Sequence, residues 1–112
     1  AGVDPLVDAA RTCGVGVLAI THSYSAGVLG WFVERLAENN LVAMMFANSS
    51  SLMAPAGGVR PFFGTNPIAW AAPRSHGPPV VADFSSSAVA WVRVRAAAQA
   101  GEPIPPGWAL DP

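Results

Sequence analysis

Apolar and polar positions along the chain alternate between short continuous runs and helix-spaced stripes. Asp4 followed by Pro5 reads as an N-cap with proline at the first helical position. Leu6, Val7, Ala9 and Ala10 then predict a short helix that ends near Gly14. Residues 15–20 are an unbroken apolar run and predict a buried strand. A polar loop, residues 21–25, leads into a helix predicted over 26–38. Val28, Leu29, Phe32, Val33 and Leu36 would share one of its faces. Asn39 and Asn40 end it, because asparagine tolerates the left-handed cap conformation. Residues 41–47, 68–72 and 79–84 predict three further strands, with a turn at 73–78. Residues 87–100 predict an alanine-rich helix, and the proline-rich stretch from Gly101 onward predicts irregular chain.

The loop over 48–63 is long for a compact domain, which suits a functional role. It leads into Phe63-Gly64-Thr65-Asn66-Pro67. Gly64 is expected to supply a positive φ, and Pro67 disfavours the helical region for Asn66. The result is a stiff turn between two strands that presents one hydroxyl and one carboxamide. The bland reading is an ordinary connection.

Composition sharpens the picture. The 112 residues suffice for one domain with a modest core. Hydrophobic residues make up 52% and charged residues 12%, and there is no lysine. A typical soluble domain carries roughly twice that charge. Much of the surface is therefore expected to face other protein. Six arginines stand against seven acids, with no basic cluster, which argues against a nucleic-acid partner. No apolar run approaches the ~20 residues of a membrane span. No signal peptide is visible, and a cytoplasmic location is the expectation. Cys13 is the single cysteine, so neither an internal disulfide nor a cysteine-based metal site is expected.

Two motif matches are decoys. Gly14-Val15-Gly16-Val17-Leu18-Ala19 has the spacing of a dinucleotide fingerprint. That mechanism needs a strand before the glycines and a helix after them, and the predicted order here is the reverse. Ser75-His76-Gly77 falls in a turn, where His76 is expected to be solvated. Arg60 and Arg74 are isolated loop cations, each more simply read as a surface residue than as an anion site.

Other segments carry candidate chemistry. His22, Ser23, Tyr24, Ser25 and Ala26 open the predicted second helix. Hydroxyls and free N–H groups at such a terminus attract anions, although a plain N-cap explains them too. Asp83 ends a predicted strand and is followed by Phe84, Ser85, Ser86 and Ser87. If buried, its carboxylate needs donors, which the serines or a helix N-terminus could provide.

Taken in order, four segments resemble the malate/L-lactate dehydrogenase family, whose members lack a Rossmann domain. They are the stretch 48–58, the Gly64-Thr65-Asn66-Pro67 turn, the stretch 81–88, and Gly101 to Asp111. The resemblance runs from about Gly14 to Asp111. It implies an α+β fold with a mostly antiparallel sheet flanked by helices. Residues 1–112 would be the central part of an NAD(P)-binding domain. The family's N-terminal Ser-His-Gly region, with its proton-donating histidine, and its C-terminal region would be absent, leaving no catalytic residue in this chain. The implied activity is hydride transfer between NAD or NADP and a small 2-oxo/2-hydroxy (or 2-imino) acid, in a homodimer. His22, Ser23, Tyr24, Ser25 and Ala26, with Asp83, Phe84, Ser85, Ser86 and Ser87, would contact the cofactor. Thr65 would touch substrate or nicotinamide.

Departures from the family pattern fall at Ser23, at Ser85-Ser86-Ser87, and most sharply at Trp91 and Arg93. Trp91 stands where some reductases place a substrate-binding arginine, and Arg93 where some place an acidic partner of the histidine. An arginine cannot accept a hydrogen bond. Trp91 as core and Arg93 as solvated surface are the structural readings. The competing functional reading is a non-catalytic, truncated or decayed family member that only binds partner subunits.

Overall fold

The computed structural model describes residues 2–110, and they fall into two compact units. The first unit comprises the chain up to Phe46 together with Ile68–Phe84. It holds α1 (Val3–Cys13), α2 (Leu29–Glu38), β1 (Ala43–Phe46), β2 (Ile68–Ala72) and β3 (Val80–Phe84). The strands form one antiparallel sheet in the order β1-β2-β3. Ala43 pairs with Ala71 and Phe46 with Ile68, while Ile68 pairs with Phe84 and Ala72 with Val80.

Register and pleat decide what each face carries. Ala43, Met45, Ala69, Ala71, Val81 and Asp83 share one face, on which α2 packs. Ala69 and Ala71 are 0% exposed. The helix contributes Leu29, Gly30, Val33 and Ala37, spaced to meet the sheet on one side. A Cβ on Gly30 would lie 3.2 Å from Asp83 and 3.4 Å from a Val81 methyl. Small residues on both surfaces bring the helix close. The Asp83 carboxylate then accepts a hydrogen bond from the Gly30 N–H at 2.7 Å. A residue of β3 thereby caps the start of α2, a role that no side chain at the Val28 N-cap fills.

The opposite face carries Met44, Phe46, Trp70, Val80 and Phe84, all exposed. On the α2 side, β1 and β2 bury Ala43, Ala69 and Ala71, whereas β3 has no fully buried residue. The first predicted strand is absent. Residues 15–20 form no ladder, and Val15, Val17 and Ile20 are 70%, 90% and 60% exposed. This segment turns back onto α1, where a Cβ on Gly16 would lie 2.9 Å from the Leu6 carbonyl. A run of β-formers becomes a strand only with a partner ladder, and none among the described residues pairs with it.

Helix starts shift for identifiable reasons. The N-cap of α1 is Gly2 rather than Asp4, which sits in the first turn, where its charge suits the helix dipole. Gly14, at φ 80°, closes that helix as expected. Helix α2 begins at Leu29 rather than Ala26, because Gly27 takes φ 68° and breaks the helical path. Its end follows the asparagines: Asn40 has φ 62°, and the Leu41 N–H reaches the Leu36 carbonyl at 3.3 Å.

The second unit comprises Ala47–Pro67 and the chain from Ser85 onward, with α3 (Trp91–Ala100). The long loop is stapled rather than open. Met53 and Phe63 exchange backbone hydrogen bonds, each at 2.9 Å. A turn at its tip has Gly57 at φ 76° and Gly58 N–H bonded to the Pro55 carbonyl. Helix α3 starts at Trp91 rather than Ser87, with Ala90 extended at ψ 132° as its N-cap. It ends at Gly101 (φ 68°), with Glu102 N–H on the Ala97 carbonyl at 3.0 Å.

Two outcomes follow from this packing. Asp83→Ala removes the cap of α2 and is expected to cost about 1–2 kcal/mol, measured by denaturant unfolding, whereas Asp83→Asn keeps an acceptor and most of that stability. The 112-residue chain produced alone is expected to self-associate through its uncovered apolar sheet face, read by light scattering after size-exclusion chromatography. A clean monomer that melts cooperatively would contradict the second expectation.

Candidate functional site

Within the second unit, the Gly64-Thr65-Asn66-Pro67 turn is fixed by polar contacts to two other segments. The Thr65 N–H donates to Ser49 Oγ at 2.7 Å, and the two hydroxyl oxygens lie 3.0 Å apart. The Ser49 N–H donates to Asn66 Oδ1 at 3.1 Å. On the other side, the Thr65 carbonyl accepts from Ser86 N–H at 3.1 Å and Ser86 Oγ at 2.9 Å. Each strand of chain that reaches the turn is thus tied to it by a backbone group.

The reason for glycine at position 64 differs from the expected one. Gly64 has no positive φ; the left-handed residue is Asn66, at φ 35°. A Cβ on Gly64 would overlap the Ser49 carbonyl and Asn66 Oδ1 and lie 2.8 Å from Ser49 Oγ. Close approach of backbones, rather than backbone conformation, requires the glycine. The Asn66 carboxamide is likewise not presented outward: its oxygen is spent on Ser49.

Thr65 lines a cavity of about 560 Å³ within this unit. Its walls include Ser87, Trp91, Trp108 and the stapled loop from Leu52 to Val59. Among the described residues, no lining side chain is charged. That volume lies in the range of small-molecule pockets, and the lining is apolar with few hydroxyls. It therefore suits an uncharged part of a ligand, with the Thr65 and Ser87 hydroxyls as its hydrogen-bonding groups. It offers no cation for a phosphate. Chemically, these groups can bind, orient and exclude water, but none is a proton donor poised near neutral pH.

The predicted site residues divide between the units. Thr65, Ser87 and Trp91 come together in the cavity, and Ser86 holds Thr65 from behind. Ser85 Oγ lies 2.9 Å from Ser87 Oγ, a bond between neighbours that keeps this hydroxyl pair together. His22, Ser23, Tyr24, Ser25, Ala26, Asp83 and Phe84 belong to the first unit. Residues 22–26 lie ahead of α2 instead of opening it, and their hydrogen bonds are local, such as Gly27 N–H to Ser25 Oγ at 3.2 Å. At the α2 terminus itself, the Gly30 N–H already serves the Asp83 carboxylate, whose charge disfavours a phosphate there. Asp83 is exposed rather than buried as expected, and Phe84 lies on the uncovered sheet face.

Arg60 stays out of the cavity although Val59 and Pro61 line it, and Arg74 donates to the Pro78 carbonyl of its own turn at 2.7 Å. Arg93 is exposed and outside the cavity lining, as is His76 in its turn. Ser49 and Trp108 were not singled out by sequence reasoning. Ser49 was hidden in a run of three serines, and Trp108 in a proline-rich stretch; an aromatic among prolines was the available signal. Among the described residues, no helix is long and apolar enough to cross a membrane, and no group of His, Cys, Asp or Glu is placed to hold a metal ion.

Comparison with known proteins gives a consistent picture. The family model for malate/L-lactate dehydrogenase matches residues 1–112. The chain is 54% identical over 110 residues to (2R)-3-sulfolactate dehydrogenase (NADP(+)) of Chromohalobacter salexigens, covering 98% of this chain and 33% of that protein. It is 44% identical to the Δ1-pyrroline-2-carboxylate/Δ1-piperideine-2-carboxylate reductase of Pseudomonas aeruginosa, again over 98% of this chain and 33% of the relative. Among solved structures, Δ1-piperideine-2-carboxylate reductase from Pseudomonas syringae superposes with a TM-score of 0.78 at 44% identity, over 91% of this chain and 31% of that one. The chain thus spans about a third of the length of the relatives it matches. With the α+β architecture, the antiparallel sheet and the matched motifs in agreement, the chain belongs to the malate/L-lactate dehydrogenase family.

Proposed function

We propose that this chain is the central part of the NAD(P)-binding domain of an oxidoreductase that interconverts a small 2-oxo or 2-imino acid and its reduced form. The observation that carries the reading is the uncharged cavity of Thr65, Ser87, Trp91 and Trp108, in a chain matched from end to end by a dehydrogenase family. The relatives named for an NADP(+)-dependent dehydrogenase and for carboxylate reductases support the reaction class. NAD or NADP would supply or take the hydride when bound. The chain's own residues would orient the reacting partners: Thr65 by its hydroxyl, Trp91 and Trp108 by stacking and by excluding water. Residues 22–26 and 83–87 are the proposed cofactor contacts. The proton would come from a histidine outside these 112 residues. A homodimer in the cytoplasm is the proposed setting.

Trp91 in place of an arginine bears on the anionic end of the substrate. Among the described residues, the cavity lining brings no cation to a carboxylate. Its counter-charge would come from elsewhere in the polypeptide. The second reading, a subunit-binding remnant without catalysis, is favoured by Trp91 and Arg93 and by the lack of a proton donor in the cavity among the described residues.

An assay separates the two. The polypeptide that carries this chain is expected to oxidise NADPH or NADH in the presence of Δ1-piperideine-2-carboxylate or a 2-oxo acid. Complete inactivity with bound cofactor would favour the remnant. In the active protein, Thr65→Val keeps shape and removes the hydroxyl; kcat/KM is expected to fall roughly ten- to hundredfold with little change in Tm. A lowered Tm with kcat/KM unchanged would instead make the hydroxyl a structural bond of the turn.

A further inference from the structure

We infer that Ser49 is a positioning residue that sets the direction of the Thr65 hydroxyl, so that Thr65 acts as a hydrogen-bond donor toward a carbonyl or carboxylate oxygen in the cavity. This rests on the reading of Thr65 as a ligand contact. Each hydroxyl carries a single hydrogen to donate. Ser49 Oγ accepts the Thr65 N–H at 2.7 Å, so its own single hydrogen must point elsewhere. Two acceptors are within reach: Thr65 Oγ1 at 3.0 Å and the Ser50 carbonyl at 3.4 Å. Hydroxyl donors bond at roughly 2.5–3.0 Å, so the Thr65 oxygen is the better acceptor. With that lone pair engaged by Ser49, the Thr65 hydrogen is turned away from Ser49 and is available to a ligand.

The scaffold holds this arrangement from three sides. The Ser49 N–H is bonded to Asn66 Oδ1, and the Thr65 carbonyl is held by Ser86. Gly64 leaves room for the Ser49 main chain and hydroxyl to approach, since any Cβ there would overlap them. A serine that only closed the loop would need the Thr65 N–H contact alone. The second, hydroxyl–hydroxyl contact distinguishes the two roles. It also fixes the recognised chemistry: a donor selects an acceptor oxygen, such as a substrate carboxylate or a carboxamide oxygen, over an N–H group.

A double-mutant cycle on the polypeptide that carries this chain tests it, with kcat/KM for NADPH-dependent reduction of Δ1-piperideine-2-carboxylate as the readout and Tm measured alongside. Ser49→Ala is expected to lower kcat/KM about tenfold in the wild-type background and by much less in the Thr65→Val background. A ratio of the two losses above about three supports the inference, and a smaller ratio overturns it. If Ser49→Ala does not fold, the near-isosteric Ser49→Cys takes its place under the same criterion. Thr65→Val with full kcat/KM overturns the ligand reading of Thr65 and the inference with it. Thr65→Val with a large loss and additive effects overturns the role of Ser49 alone.

Discussion

Close packing of α2 on the alanine face of the sheet is the constraint on which the first unit depends. Ala69 and Ala71 are fully buried beneath the helix, and Ala43 and Ala37 lie at the same contact. None of these side chains supplies much apolar area on its own. What they supply is proximity: with Gly30 on the helix, the backbone approaches until its N–H meets the Asp83 carboxylate. One bond then joins the third strand to a helix 53 residues earlier. A larger residue at 69, 71 or 30 would push the helix outward, costing dispersion contacts and the cap together.

The second unit uses the same device with polar groups. Gly64 lets the Ser49 main chain and hydroxyl come against the Thr65 turn, and the hydrogen bonds of Ser49, Asn66 and Ser86 hold it. Fixing the turn before a ligand arrives places the ordering entropy in the fold rather than in binding. The cavity beside it is built from an irregular, stapled loop and tryptophans. Its shape rests on the Met53–Phe63 exchange, the Pro55–Gly58 turn and the start of α3, which supplies Trp91 and Val94.

The low charge of the chain now has a location. The uncovered sheet face carries methionine, phenylalanine, tryptophan and valine, and residues 15–20 expose further aliphatic side chains. The chain spans about a third of the length of the relatives it matches. The first predicted strand, at 15–20, is absent for want of a pairing partner among the described residues. Strand formation needs a neighbour's N–H and C=O groups, and the described residues provide none to that run.

Sequence alone determined the element types that local chemistry controls. Gly14 and Asn40 ended helices where left-handed residues were expected, and the runs predicted at 68–72 and 79–84 became the paired strands Ile68–Ala72 and Val80–Phe84. Ordered motifs were legible too, because glycine, proline and asparagine mark turns through their own backbone limits. Tertiary structure decided the rest. It alone revealed that Asp83 caps α2, that Gly64 serves a close approach, and that Ser49 and Trp108 join Thr65 at one site. Each depends on chain segments 15 or more residues apart, and the distances that matter there are set by packing rather than by spacing in the chain.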